Sequence, residues 1–205
     1  MKLGCIFECQ REGPDILVCR QFLGQLNPNV VLDPVPMDSK SGLINRCGPA
    51  TQALLKTNEH VVILWDLIPR WKETGKIYKL ADEVKKIEDA LAAAKVNRKK
   101  VSLVCMVQEL EAWLLADHNA WGSIIERIKH PHRIGKLKHF SNPDCEIRPK
   151  EILEKLFEKE LGKGKIYRDH KHALSIAKAV GRDWRWVGNS DSFKRFALLA
   201  GGVKL

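Results

Sequence analysis

The fold is indicated most clearly by one short stretch, Val61-Val62-Ile63-Leu64-Trp65, which ends at Asp66. A continuous apolar run of this length is typical of a strand that is buried on both faces of a parallel sheet. Two similar runs, residues 3–7 and residues 101–107, stand earlier and later in the chain, and each also leads into acidic residues. Because the carboxyl ends of parallel strands form the edge at which α/β proteins bind ligands, we expect these acids to meet there.

Four carboxylates follow these runs, namely Glu8, Asp66, Glu109 and Glu111. Carboxylates that are brought together repel one another, and Mg²⁺ or Mn²⁺ relieves the repulsion because these cations prefer oxygen ligands. Such a cation supports phosphodiester chemistry. We therefore expect all four acids in a catalytic site, with Glu8, Asp66 and Glu111 as metal ligands.

A structural interpretation of the same acids stays open. Glu8 and Asp66 could cap helices, and the two later glutamates could complement the dipole of a helix that starts near them. Glu109 and Glu111 are two positions apart, so on one helix they point in different directions. Only one of them would then face the cluster, unless the other lies at the start of the helix.

The first 117 residues alternate between strand and helix signals. A short strand over residues 30–36 contains Pro34 and Pro36, which predicts an edge position in the sheet. A loop is predicted over residues 66–71. Apolar spacing predicts four helices, over residues 16–26, 43–56, 77–95 and 109–117. This alternation predicts an α/β core with a mainly parallel sheet and helices on both of its faces.

Strand signals stop after Asp117. Residues 118–148 are predicted to be loop-like. Three further helices are predicted over residues 149–161, 169–180 and 192–200, the first of them with Pro149 in its first turn. We therefore expect a core of residues 1–117 and a mainly helical extension of residues 118–205 that packs on it.

The net charge of +10 is unevenly distributed along the chain. Residues 1–126 carry equal numbers of basic and acidic side chains, so residues 127–205 carry the whole excess. A basic segment beside a neutral one suggests a polyanionic partner, and we expect nucleic acid, either DNA or RNA. The predicted contacts with its phosphates are Lys136, Lys138, Lys150 and Arg195. The alternative is a basic surface that serves solubility alone.

The composition is that of a soluble globular protein, with 44% hydrophobic and 29% charged residues. No apolar run approaches the ~20 residues of a membrane helix, and the N-terminus does not resemble a signal peptide. We therefore expect no membrane contact and a cytoplasmic location. The six cysteines form no CxxC pair and are expected to be small buried residues. No GxxxxGK[ST] loop occurs, which argues against ATP hydrolysis by this chain alone.

Two features of the second half have competing interpretations. Trp113 is expected in the core, and base stacking is the alternative if it is exposed. A zinc site is a weaker alternative to phosphate contacts for the histidines, because their spacing matches no standard pattern. Its ligands would be His130, His132, His139 and Cys145.

The stretch Gln108-Glu109-Leu110-Glu111-Ala112-Trp113-Leu114-Leu115-Ala116-Asp117 resembles the signature of a bacterial toprim-like group, domain-of-unknown-function family 4276. Four other landmarks are similar to those of the family and occur in the same order. They are residues 6–9, residues 63–67, Pro149-Lys150 and Ser192-Phe193-x-Arg195-Phe196. The resemblance covers nearly the whole chain, and its Glu-Leu-Glu-Ala-Trp-Leu-Leu-Ala-Asp block is the most specific part.

This resemblance implies a toprim-like α/β core. Toprim domains occur in topoisomerases, primases and the overcoming-lysogenisation-defect nucleases, and they hold Mg²⁺ with a glutamate after the first strand and an Asp-x-Asp motif after a later one. Glu8 matches the glutamate, and Asp66 matches the first aspartate. Ile68 stands where the second aspartate would be. Glu109 or Glu111 would have to replace that ligand, or metal binding would be weak or absent.

These observations lead to three hypotheses. The first is a metal-dependent nuclease or nuclease-like effector, and the family context implies phage defence together with an ATPase partner. The second is a catalytically inactive toprim-like module that binds a partner protein or nucleic acid, which Ile68 favours. The third is a phosphotransferase or nucleotide-binding enzyme that uses the same acidic edge and binds a small nucleotide with Mg²⁺.

Overall fold

A computed structural model of the chain describes residues 1–68, 72–73, 76–129 and 134–205, with the backbone alone for residues 72–73 and 76–77. Six strands lie in these residues: β1 (Lys2–Phe7), β2 (Val31–Pro36), β3 (His60–Asp66), β4 (Lys72–Glu73), β5 (Lys76–Ile77) and β6 (Val101–Met106). Four of them form a parallel sheet in the order β2-β1-β3-β6, while β4 and β5 pair separately and antiparallel.

The parallel sheet confirms the predicted α/β class and is consistent with a toprim-like α/β fold. β2 lies at an edge of the sheet, as its two prolines predicted. Eight α-helices lie in the described part of the chain: α1 (Pro14–Leu26), α2 (Lys40–Leu54), α3 (Leu80–Ala93), α4 (Glu111–Ala116), α5 (His118–Lys129), α6 (Pro149–Leu161), α7 (Asp169–Ala179) and α8 (Asp191–Gly201). None of these helices is both long and apolar enough to cross a membrane.

The central strands are buried on both faces. In β3, Val62 and Leu64 enter the core that α1 and the helices α4–α8 cover. Their neighbours Val61, Ile63 and Trp65 enter a second core, which α2 and α3 cover. Alternate side chains therefore need apolar partners on opposite faces, and this explains the continuous apolar run in the sequence. Of the predicted loop after β3, residues 69–71 lie outside the described residues.

The prediction of a loop over residues 118–148 was wrong for its first part, because α5 occupies His118–Lys129. Asp117 caps this helix, since its Oδ1 accepts hydrogen bonds from the backbone N–H groups of Asn119 and Ala120 at 3.1 Å. The buried face has helical spacing and comprises Ala120, Trp121, Ile124 and Ile125. A loop was predicted here because residues 118–148 contain no strand signal, although the spacing of these apolar residues indicates a helix.

The helices after residue 117 share a core with α1. Phe22 of α1 packs edge-to-face on Phe193 of α8, with 5.3 Å between ring centroids, and Trp113 of α4 packs on the same ring at 5.2 Å. α7 also packs against α1, which starts at the carboxyl edge of the sheet. The first turn of α7 is thereby brought to that edge. A boundary between residues 117 and 118 stays a prediction.

Candidate active site

The carboxyl ends of β1 and β3 are connected through Glu8 and Asp66. Phe7 pairs with Leu64 in the sheet, so the two strands end at the same edge. Glu8 Oε2 accepts a hydrogen bond from the backbone N–H of Asp66 at 3.3 Å. The two acids that were predicted to meet at these strand ends therefore lie side by side.

The third strand end contributes both predicted glutamates. The chain after β3 stays paired with the end of β6, because the backbone N–H of Leu67 donates to the carbonyl of Met106 at 2.7 Å. Glu109 precedes α4 and Glu111 is its first residue. Both glutamates can therefore face the cluster in spite of their spacing, because one of them lies before the helix. Both line the same cleft.

A fifth carboxylate, Asp15, comes from the turn that follows β1. Pro14 occupies the first position of α1, where its fixed φ and its missing N–H suit the helix. Asp15 then lies in the first turn, at the carboxyl edge of the sheet. Burial raises the pKa of Asp15 above its ordinary value, although a hydrogen bond from Cys9 opposes that effect. Its charge in turn raises the pKa of Asp66.

These groups line one open cleft of about 530 Å³, which is called the acidic cleft below. It contains four of the carboxylates just described, a further one from α7, and the loop between β1 and α1. The described residues that line it are Asp15, Asp66, Ile68, Glu109, Glu111, Lys150, Asp169, His170 and residues 9–14. Glu8 does not line the cleft and is connected to it through its hydrogen bond to Asp66.

Asp66 lies at the electrostatic centre of the acidic cleft. Burial raises its pKa well above the ordinary value, and the charges of Asp15, Glu8, Glu111 and Glu109 raise it further. Its Oδ1 is buried and has no hydrogen-bond partner among the described residues. A buried carboxylate oxygen that is surrounded by negative charge favours the binding of a cation or a proton.

The two later glutamates are also perturbed. Burial, followed by the charge of Glu109, raises the pKa of Glu111 to about 7. Tyr167 donates a hydrogen bond from its hydroxyl to Glu111 Oε1 at 3.3 Å, which orients this buried carboxyl. Burial raises the pKa of Glu109 as well, in spite of the positive charge of Lys150.

Glu8 has a cation nearby. Burial raises the pKa of Glu8 to about 7, while the charge of Lys40 acts in the opposite direction. Lys40 is itself buried, with Nζ 3.7 Å from Glu83 Oε1, and it donates a hydrogen bond to the carbonyl of Leu67 at 3.2 Å. Glu83 also accepts a hydrogen bond from the Trp65 indole at 3.0 Å. A buried ion pair therefore lies close to the edge of the sheet.

Arg11 and Lys150 are the two cations that line the acidic cleft within the described residues, and an ion pair is formed by Lys150. Its Nζ lies 2.6 Å from Asp169 Oδ2. Burial lowers the pKa of Lys150, but the hydrogen bond to Asp169 and the charges of Glu111, Asp169 and Glu109 outweigh burial, so the pKa is raised. Burial conversely favours protonation of Asp169, yet Lys150 holds the pKa of that carboxyl below its ordinary value. Both side chains of this pair are therefore charged at neutral pH.

The chemistry of the cleft fits a hard divalent cation, because its carboxylates offer the oxygen atoms that Mg²⁺ and Mn²⁺ prefer. Oδ1 of Asp66 is a ligand atom without another partner in the part of the chain that the structure describes. In residues 1–68, 76–129 and 134–205, no group of three or more His, Cys, Asp or Glu side chains is already arranged to hold a metal ion. Binding would therefore require rotation of some of these side chains.

The four basic residues that were predicted to contact nucleic acid lie in different places. Lys150 lines the acidic cleft, and the other three do not. Lys136 is exposed between α5 and α6, and Lys138 has its Nζ 4.5 Å from the ring centroid of Phe140. Arg195 is exposed on α8. A role in nucleic-acid binding stays a prediction for all four.

The two competing interpretations in the second half have different outcomes. Trp113 is fully buried and its indole donates to Ser192 Oγ at 2.8 Å, so the prediction of a core residue is confirmed. For the zinc alternative, His130 and His132 lie outside the described residues. His139 packs its ring on Trp186 at 4.5 Å, and Cys145 is exposed.

Asp15 and Asp169 in the cleft, and Tyr167 beside it, were not predicted from the sequence as site residues. Asp15 carries a usable signal, because Gly13-Pro14 marks the start of a helix directly after a buried strand. Tyr167 and Asp169 carry none, since they stand among basic residues more than 50 positions after Glu111. They reach the cleft only because α7 packs on α1.

The sequence of the chain matches a known family over most of its length. The model of the family described as "Domain of unknown function (DUF4276)" matches residues 18–197. This range includes Asp66, Glu109 and Glu111, whereas Glu8 and Asp15 precede it. Comparisons with curated proteins and with solved structures gave no significant match.

Proposed function

Since the chain belongs to the family described as domain of unknown function DUF4276, we propose its function from the site itself, namely metal-dependent cleavage of nucleic-acid phosphodiesters. The match to the family model confirms the predicted resemblance to this family. The observation that carries this proposal is the buried Oδ1 of Asp66, which has no partner among the described residues. The charges of Asp15, Glu8, Glu111 and Glu109 act on the same carboxyl. A divalent cation would offset this repulsion, and the positive excess of residues 127–205 suits a polyanionic substrate.

A toprim-like relationship is part of the proposal. It is supported by the parallel sheet, by a glutamate directly after β1 and by an aspartate at the end of β3. Ile68 occupies the position of the second toprim aspartate and lines the acidic cleft without offering a ligand. Glu109 and Glu111 line the same cleft, so they are the candidates to replace the missing carboxylate.

In this proposal each residue has a stated role. Asp66, Glu111 and Glu8 hold Mg²⁺ or Mn²⁺, with Glu109 beside them, and the cation supplies charge neutralisation and polarisation of the phosphate. Burial raises the pKa of Glu8 to about 7 without a cation, and a bound cation would hold this carboxyl in its ionised form as a ligand. Lys150 contacts the phosphate oxygens, because a lysine at the start of a helix attracts anions through its charge and the helix dipole.

We also propose that the protein acts in the cytoplasm, where nucleic acid and Mg²⁺ are present together. All six cysteines are free thiols, and three of them are fully buried. Free thiols are the usual state in a reducing compartment.

The test is a cleavage assay on single- and double-stranded DNA and RNA with Mg²⁺ or Mn²⁺. Asp66→Asn and Glu8→Gln should each abolish cleavage, because each removes the charge of one proposed metal ligand. Glu59→Gln is the matched control, since Glu59 is an exposed acid at the opposite, amino end of β3. Cleavage by both site variants at the wild-type rate would disprove the assignment.

A second candidate is a catalytically inactive module that docks on a partner such as an ATPase. The observation that favours it is the combination of Ile68 in the cleft with the ion pair between Lys150 and Asp169, which occupies one cation and one acid of the cleft. This candidate predicts a stable complex in pull-downs with the partner and no cleavage by the chain alone in either metal.

A further inference from the structure

A second cleft lies beside the acidic cleft, and the first turn of α7 separates them. Asp169 and His170 line the acidic cleft, whereas Arg168 and Lys171 line the second one. This second cleft has a volume of about 650 Å³ and also receives Arg127 from α5. It is called the basic cleft below and is defined by Arg127, Lys165, Arg168, Lys171 and His172. No acidic side chain is among the described residues that line it.

The cations of the basic cleft have no counter-charge within the described residues. The side chains of Arg127, Lys165, Arg168 and Lys171 form no hydrogen bond or ion pair there. Close by, Lys129 is held by Glu160 at 3.1 Å, so acids are within reach of this surface but do not neutralise the cleft. Four unneutralised cations around one cavity favour an anionic ligand with several charges.

His172 adds a fixed, uncharged donor to this cleft. Its side chain is 7% exposed. Nδ1 accepts a hydrogen bond from the backbone N–H of Arg168 at 2.9 Å, so the ring proton of the neutral imidazole is on Nε2. Burial, followed by the charge of Lys171, lowers the pKa of His172 and keeps the ring neutral. Nε2–H has no partner in the described residues and is available to a phosphate oxygen.

The two clefts are structurally connected. The ring of Tyr167 lies 5.9 Å from that of His172 in the basic cleft, while its hydroxyl donates to Glu111 in the acidic cleft. A helix with its side chains is about 10 Å across, so groups on two sides of one turn can contact nearby phosphates of a single strand. Ile124 and Ile166 line the basic cleft as well and offer apolar surface to sugars or bases.

We propose that the basic cleft binds backbone phosphates of the nucleic-acid strand that enters the acidic cleft, and that it positions the strand there. The proposal rests on the proposed function for the identity of the strand, but it concerns binding and not cleavage. Phosphate contacts supply affinity without sequence readout, so DNA and RNA strands should both bind.

The experiment measures the anisotropy of labelled single-stranded DNA and RNA with the full chain in EDTA, over a series of salt concentrations. The test variant is Arg127→Gln/Lys171→Gln, which removes two exposed cations from different helices. We expect its affinity to fall roughly tenfold at low salt, and the slope of log affinity against log salt to fall by about 0.7 for each of the two cations removed. Thermal unfolding of the variant shows whether it remains folded.

The matched control is Lys99→Gln/Lys100→Gln, which removes two exposed cations at the amino end of β6 and should bind like the wild type. Wild-type affinity and salt slope in the test variant would overturn the proposal. An equal loss for a labelled polyglutamate peptide would also overturn it and point to an acidic protein. Binding is measured in EDTA, where metal-dependent cleavage does not occur. A protein that binds the strand in EDTA but cleaves nothing with Mg²⁺ or Mn²⁺ would therefore contradict the proposed function and still support binding at the basic cleft.

Discussion

Glu8 directly follows β1 and Asp66 ends the neighbouring strand β3, and the carboxylate of Glu8 accepts a hydrogen bond from the backbone N–H of Asp66 at 3.3 Å. This hydrogen bond uses the main chain of Asp66 and leaves its side chain for other partners. Oδ1 of Asp66 is buried without a partner in the described residues, close to the other carboxylates of the edge. The carboxylates at this edge repel one another, and either a bound cation or a bound proton would reduce the repulsion. Cation binding and proton binding each lead to a prediction.

The first concerns cation binding without any substrate. Mg²⁺ or Mn²⁺ should raise the melting temperature of the wild type, because a ligand that binds only the folded state stabilises it by about 2.7 kcal/mol at a concentration 100-fold above its Kd. Asp66→Asn should lose this response, whereas Glu59→Gln should keep it. Scanning fluorimetry over a metal titration measures the effect, and an equal response of the Asp66 variant would contradict the site.

The second concerns the proton. Glu111 has a pKa of about 7 in the folded protein against an ordinary value of 4.5, so the folded state binds a proton more tightly than the unfolded state between these values. The free energy of unfolding should therefore fall as the pH rises through this window, by roughly 3 kcal/mol in total for this group. Below about pH 4.5 the group is protonated in both states and the penalty is absent.

Glu111→Gln tests this pH dependence, because the amide keeps an acceptor for the Tyr167 hydroxyl and carries no charge. We expect the metal-free variant to be more stable than the wild type at about pH 8 and nearly equal to it at about pH 4.5. Urea unfolding in EDTA at several pH values provides the measurement, with Glu59→Gln as the control. A constant difference across the whole pH range would contradict the pKa assignment.

The sheet edge was predictable from the sequence, and the helical side of the cleft was not. The continuous apolar runs of β1, β3 and β6 indicated strands with carboxyl ends in common, which was enough to bring Asp66 and Glu111 together. Asp169 and Tyr167 depend on how α7 packs against α1, a contact between segments far apart in sequence. α5 was missed although its apolar spacing is helical, because residues 118–148 were predicted to be loop-like where the strand signals stop.

A third prediction concerns Lys150, whose Nζ lies 2.6 Å from Asp169 Oδ2. Lys150→Met removes one of the two positive charges that line the acidic cleft, the other being that of Arg11, so it should weaken binding of an oligonucleotide and strengthen binding of Mn²⁺. The side chains of the pair are 39% and 30% exposed, and the change in stability should be below about 1 kcal/mol. Lys155→Met, on the exposed face of α6, should change neither affinity. Parallel shifts of both affinities in one direction would contradict the proposed role.

A fourth prediction concerns the contact between α2 and α3. A Cβ added at Gly48 would lie 2.2 Å from the carbonyl oxygen of Ala90, a backbone atom that cannot move aside cheaply. Gly48→Ala should therefore lower the free energy of unfolding by roughly 1–3 kcal/mol. Gly24→Ala is the matched control, since nothing lies within 4 Å of a Cβ there and the helix should gain about 0.5–1 kcal/mol. Equal effects of the two changes would show that helix packing does not require Gly48.

The last prediction concerns a buried polar cluster that holds α4 against α8. Ser192 Oγ accepts the Trp113 indole N–H at 2.8 Å and donates to Asp144 Oδ1 at 2.9 Å, and all three side chains are buried. Ser192→Ala leaves the indole and part of the carboxylate unsatisfied, so it should cost roughly 2–4 kcal/mol. Ser123→Ala removes a hydroxyl that donates only to the Ala120 carbonyl in its own helix, and it should cost less than about 1 kcal/mol. Chemical unfolding of both variants compares their free energies of unfolding directly.

Because the cluster does not line either cleft, Ser192→Ala should leave metal affinity unchanged wherever the protein remains folded. A selective loss of metal binding would mean that α4 positions Glu111 through Ser192.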